Sequence, residues 1–304
     1  MRREIISGDQ VHLPQAIPDL PRGWEGAFVF DPNSEQIPSG HPSQDLIAWL
    51  ISNQWALLMV LDGASKGKPG SPSANYDSGP VTIRFAEEAM RFAGPLIEAG
   101  TPFKLSEMHY HAGRAIKQAR DNEDTMPEGG LVGVSSLLLP DGWSQTHHFG
   151  DPHNAESTNT NNPDYLAVPE ALWPENVARD LYLAHRERVR ASTAEWPLFD
   201  PENKWLERML IPSRNDRQSG NVTHHASTVH GLHRSYEDHR TQLPSKGSLV
   251  RATDGLGLYP NLEAFQRGSA RTIQALLEQI YMFGKTGSED NIAGVAARWN
   301  PENV

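Results

Sequence analysis

The chain is 304 residues long and carries 38 acidic against 27 basic residues, a formal net charge of −11 with its 13 histidines counted as neutral. That balance opposes general attraction to nucleic acid or an anionic membrane surface, and the length allows one large domain or two small ones with a substantial core. The absence of cysteine excludes thiolate metal sites, cysteine nucleophiles and disulfide frameworks, and it fits a reducing, cytoplasmic setting.

Met1–Gln10 lacks the apolar stretch of a signal peptide, and no window approaches the roughly 20 apolar residues of a membrane span, so a soluble protein is expected. Residues 1–20 read as a loop-like lead with Pro14 and Pro18, followed by Pro21. The first strand signal is Ala27–Phe30, with Glu25 just before it. A polar stretch from Asp31 to Gln44, carrying Pro32, Pro38 and Pro42, separates it from the next. Trp55–Leu61 is uniformly apolar, short, and stopped by Asp62-Gly63, which predicts a central strand covered on both faces. A Gly/Pro/Ser-rich loop over Gly63–Gly79 leads to a helix over Val81–Ala99, with Phe85, Ala89, Met90 and Phe92 on its apolar face and Gly100 as its stop. A second helix is predicted over Leu105–Asn122, capped by Ser106.

Leu131–Leu139 and Trp143–Phe149 flank Pro140-Asp141-Gly142, the pattern of a hairpin whose turn needs positive φ. Its second strand ends at Gly150-Asp151. From Pro152 to about Gly220 the texture changes, and residues 152–220 read as an insertion within a single domain spanning 1–304. The insertion opens with the polar run Glu156–Asn162 and holds a helix over Pro174–Ser192. Trp173, Trp196 and Trp205 suggest a satellite core, either a substrate-selecting flap or a stabilising elaboration. Ser248–Thr253 is a strand closed by Asp254-Gly255. A helix begun by Asn261, interrupted or bent at Gly268, carries Ile273, Leu276, Leu277, Ile280 and Tyr281 and stops near Gly284. The last strand, Ile292–Trp299, is opened by Asp290-Asn291.

Glu25, Asp62, Asp254 and Asp290 thus each stand at the edge of an expected strand. If those strands are neighbours, the carboxylates meet at one rim, where a hard cation offsets their repulsion. The plainer alternative is that Asp-Gly ends a strand in a tight turn and Glu25 is solvated. The histidines offer a rival site: His224, His225, His230, His233 and His239 form one cluster, and His147, His148 and His153 another. Imidazoles suit zinc or nickel, but no His-Glu-x-x-His pattern is present, and a polar loop explains them equally.

In order, LMVLDGASKG, GVSSLLLPDGWSQTHHFGD, GSLVRATDGLGLYPN and SEDNIAGVAARW resemble the motif series of the metal-dependent PP2C-type protein serine/threonine phosphatases, the PPM family. The resemblance implies a four-layer α-β-β-α sandwich (α+β class) with two Mg²⁺ or Mn²⁺ ions at one end. In it Asp62 bridges both ions, Gly63 offers its carbonyl oxygen, Asp254 and Asp290 hold one ion, and Glu25 holds the other. It further implies hydrolysis of phosphoserine or phosphothreonine in a phosphoprotein by a metal-bridging water, with Arg22 as the nearest candidate for the phosphate-binding arginine. Gly26 occupies a slot where the family carries a second acid or amide, and Arg22 is one residue out of the usual spacing. Those departures keep two other readings open: a pseudophosphatase acting as a regulatory module, and a small-molecule phosphomonoesterase. Nothing in the sequence sets an oligomeric state.

Overall fold

In the computed structural model, which describes residues 1–32, 44–64, 78–122, 130–149, 152–157, 166–167, 238–256, 258, 272–286 and 291–303, the apolar runs become interior strands of two sheets. The first sheet holds β1 (Arg2–Ile6), β4 (Leu46–Ile51), β5 (Ala56–Ala64), β6 (Gly130–Leu138), β7 (Trp143–Phe149) and β10 (His239–Gln242), in that order. The second holds β2 (His12–Ala16), β3 (Trp24–Asp31), β12 (Ile292–Trp299), β11 (Ser248–Ala252), β8 (His153–Ser157) and β9 (Leu166–Ala167). All the neighbouring strands pair antiparallel.

The alternation of side chains along a strand explains why β5 is apolar at every step. Leu57, Met59 and Leu61 pack beneath α1 (Ser78–Glu98) and α2 (Leu105–Asn122), whereas Leu58 and Val60 face the second sheet. On the far side α3 (Ile273–Lys285) covers the second sheet through Ile273, Leu277 and Ile280 against Ala27, Val29 and Val250. The layers are therefore helix, sheet, sheet, helix, as the resemblance implied.

The hairpin forms as its sequence predicts. Asp141 and Gly142 take φ of 58° and 75°, and the Leu139 N–H donates to the Trp143 carbonyl at 2.8 Å. A side chain at Gly142 would meet the Trp299 indole at 2.7 Å, so glycine is needed there on two counts.

Several expectations are corrected. Residues 1–20 are not all loop: β1 and β2 are edge strands, and Pro14 sits on one of those edges, where a missing N–H is tolerated. β4 was hidden in the sequence behind the proline-rich stretch. The polar run opening at Glu156 is not wholly outside the core: β8 is a sheet strand in which Glu156 and Ser157 are fully buried. Ser106 does not cap α2; the Asp238 carboxylate does. The described part of α3 has Thr272 as its N-cap, its hydroxyl accepting the Ala275 N–H at 3.1 Å. That helix stops at Lys285, next to Gly284 as expected, and a Cβ on Gly284 would sit 2.2 Å from the Leu256 carbonyl oxygen. The helix start at Asn261, the bend at Gly268, the helix over Pro174–Ser192 and the three tryptophans lie outside the described residues.

The space between the sheets is not uniformly apolar. Arg251 of β11, 1% exposed, donates to Ser136 and Thr146 of the opposite sheet at 2.9 and 3.0 Å and pairs with Glu156 of β8. His239 of β10 contacts the other Glu156 oxygen at 3.2 Å. Burial acts to raise the Glu156 carboxyl, but the Arg251 guanidinium, aided by His239, prevails and holds it below its ordinary value.

Candidate active site

Which strand ends share a rim follows from register. Leu46 pairs with Leu61 across β4 and β5, so Asp45 stands opposite Asp62 one step beyond. Leu46 and Leu61 point toward the helices, which puts both carboxylates at positions facing the second sheet, in line with Ile47 and Val60. Phe149 ends β7 at the same level, opposite Gly133, the neighbour of the Val132 that pairs with Asp62. The chain then crosses to the other sheet, where His153 opens β8 opposite Ala252. Asp254 follows β11 there, and Asn291 precedes β12.

Asp62 and Asp254 are therefore at one end of the sandwich, the first half-buried and the second exposed. Asp290 and Asp151 lie outside the described residues, although their neighbours Asn291 and Pro152 belong to this end. Glu25 does not. It sits near the start of β3, opposite Arg298, and β3 reaches this rim only at Asp31. Six residues of strand separate the two ends, about 20 Å. Glu25 there accepts from Asn303 at 2.7 Å and from Asn300 at 3.4 Å. Arg22, exposed in the turn before β3, is at that distant end too, so neither residue joins Asp62.

The residue missed in the sequence is Asp45, 2% exposed at the start of β4. Its signal was available. Two apolar runs, Leu46–Ile51 and Ala56–Leu61, flank a short turn in which the Ser52 hydroxyl accepts the Trp55 N–H at 3.1 Å, and folding them together sets Asp45 across from Asp62.

Gly63 is held tightly here. A Cβ on it would lie 2.6 Å from the Gln44 carbonyl oxygen and 2.7 Å from the Ser78 hydroxyl, which is buried at the start of α1 and has no hydrogen-bond partner among the described residues. Asp31 ends β3 at the rim but faces the other way, accepting from Tyr281 at 2.7 Å and Lys285 at 3.0 Å. The hydrogen bonds to Tyr281 and Asp31 raise the Lys285 pKa.

Among the described residues no three His, Asp or Glu side chains gather in the manner of a metal site. The histidine rival finds no footing there. His147 lies beneath α2 with its Nδ1 2.7 Å from that of His109, whose Nε2 is 2.7 Å from the Ser135 hydroxyl. Burial lowers His147 and His153 to about 4 and lowers His109 as well, the last also through His147 and His148. His224, His225, His230 and His233 are outside the described residues.

No family model and no curated protein matches the sequence. Solved structures do match. RsbX in complex with magnesium aligns with a TM-score of 0.51 at 11% identity over 94% of this chain and 99% of that one. A bacterial serine phosphatase aligns at 0.55 and 16% identity, over 90% and 97%. The fold is that of the PP2C-type phosphatases. A further match, the RsbU and RsbW domains of Rv1364c from Mycobacterium tuberculosis, gives 0.56 at 14% identity, this chain spanning 62% of that longer one. At the rim of this PP2C-type fold, the donor set suits a hard divalent cation. Asp45 and Asp62, the first of them buried, occupy positions one step beyond the last pair of the β4–β5 ladder, next to a glycine wedged between the Gln44 and Ser78 oxygens, with no sulfur donor.

Proposed function

We propose that the protein is a metal-dependent phosphatase that hydrolyses phosphoserine or phosphothreonine in other proteins, in the cytoplasm. The observation carrying this reading is the Asp45–Asp62 juxtaposition on the inter-sheet face of a PP2C-type fold. Asp45, Asp62, Asp254 and Asp290 are the carboxylates that would hold two Mg²⁺ or Mn²⁺ ions, with the Gly63 carbonyl oxygen beside them. Such ions supply Lewis acidity to a phosphoryl oxygen and make water nucleophilic near neutral pH.

The chain's own part is to keep that oxygen set rigid. Asp45 and Asp62 ride on paired interior strands, Gly63 admits no side chain, and α1 abuts them through Ser78. Glu25 and Arg22 have no role in this centre. Turnover of an aryl phosphate and of a phosphoserine peptide with Mn²⁺, set against Asp62→Asn, tests the proposal. Equal rates in the parent and the variant would discard it.

The distant position of Arg22 favours a second reading, a regulatory module that keeps the sandwich without efficient chemistry. Calorimetric titration with Mn²⁺ separates the two: binding together with turnover supports the enzyme, while an intact fold that binds no Mn²⁺ supports the module.

A further inference from the structure

Away from the rim, the outer surfaces of α1 and α2 enclose a groove of about 320 Å³ lined by Glu88, Arg91, Phe92, His111, Arg114 and Gln118. Its charges are unevenly matched. Glu88, 8% exposed, has both oxygens engaged: Oε1 takes Arg84 at 2.9 Å, and Oε2 takes Arg91 through Nε at 2.7 Å and through Nη2. It is thus a bracket that fixes Arg91 rather than a free acid. Arg114 forms no ion pair among the described residues and lies over the Tyr110 ring at 5.8 Å. Lys117, one turn further along α2, is exposed and likewise without an ion pair among the described residues. On a chain of net charge −11 the groove is a basic island.

Its floor is aromatic. Phe92 of α1 and His111 of α2 stack face to face with centroids 4.7 Å apart and planes at 21°, an apolar pair beside which the methylene stem of an acidic side chain can lie. We propose that this groove docks an acidic segment of a partner protein, Arg91 and Arg114 pairing with its Asp or Glu carboxylates over the Phe92–His111 platform. Guanidinium forks match carboxylates, and a volume of this size takes one or two side chains rather than a folded domain.

Resting on the phosphatase reading, the groove becomes a substrate-selecting exosite. Glu88 follows Ser78 by ten residues of α1, about 15 Å, the span of roughly five residues of extended peptide. The favoured substrate then carries acidic residues about five positions from its phosphorylated residue.

A fluorescein-labelled hexaglutamate peptide, titrated into the 304-residue chain without metal and followed by anisotropy, tests the docking alone. Expected are binding that falls away as salt rises and an affinity roughly tenfold lower in Arg114→Glu. Arg114→Gln, which removes the charge without reversing it, should fall between, and thermal melts of both variants should match the parent. Equal binding of hexaglutamine, or affinity for hexaglutamate unchanged in Arg114→Glu, overturns the proposal. Because these measurements need neither metal nor turnover, an inactive enzyme would sink the phosphatase reading and leave the docking result standing.

Discussion

The Asp238 carboxylate accepts the backbone N–H of Leu105 at 2.7 Å, and that of Ser106 at 3.0 Å, so α2 is capped by a residue 133 positions later in the chain. Gln145 of β7 ties the same carboxylate in place at 2.6 Å while also donating to the Phe103 carbonyl. An anion at a helix N-terminus satisfies orphan donors and opposes the macrodipole. Asp238→Ala is therefore expected to destabilise the fold by about 1–2 kcal/mol in urea unfolding, and Asp238→Asn by less.

Metal affinity should follow the rim rather than the sequence motif. Asp45→Asn and Asp62→Asn are each expected to weaken Mn²⁺ binding by at least about tenfold, because affinity for hard cations follows the count of charged oxygens. Glu25→Gln, at the opposite end among Asn300 and Asn303, should leave it unchanged. Titration calorimetry of the three variants decides. A loss in Glu25→Gln with none in Asp45→Asn would reverse the assignment.

Acid should loosen the buried histidines of both sheets, His147 beneath α2 and His153 at the start of β8. His109 and His147 share one Nδ1–Nδ1 hydrogen bond, so one ring nitrogen donates and the other accepts, an arrangement that double protonation breaks. His147 and His153 are held near 4 by burial, whereas an unfolded histidine titrates near 6.5. Between those values the unfolded chain binds more protons. Stability is full above pH 6.5 and falls on acidification toward 4, by about 1.4 kcal/mol per pH unit for each such histidine. Urea midpoints at pH 7, 6 and 5 check this, and a flat profile contradicts it.

The inter-sheet ion pair should resist piecemeal removal. Arg251→Met leaves the buried Glu156 facing only His239 and should cost about 3–5 kcal/mol. Combining it with Glu156→Leu removes the stranded charge and should recover a large part of that loss. A double-mutant cycle in urea, with coupling near zero as the contrary result, measures it.

The sequence was most legible where burial on both faces enforced an unbroken apolar run. β5, β11 and β12, and the hairpin turned by Asp141-Gly142, emerged because their local chemistry and tertiary setting agree. The bounds of α2 were readable for the same reason. β1 and β2 escaped because edge strands need apolar residues on only one side, and Pro14 reads as a breaker when its sheet edge is out of sight. The polar run beginning at Glu156 misled because its partner is Arg251, which no local window contains. Glu25 misled for a different reason. A carboxylate beside a strand signal carries no mark of which end of the strand it occupies. Direction follows only from pairing: the β3–β12 register puts Glu25 at the far end, and the β4–β5 register brings Asp45 to the end that holds Asp62.

The contact between Glu156 and His239, 83 positions apart at 3.2 Å, joins the two sheets. β10 is the outermost strand of its sheet, and through this contact it is clasped to β8 of the other, so sliding one sheet across its neighbour would have to break a bond to a fully buried carboxylate.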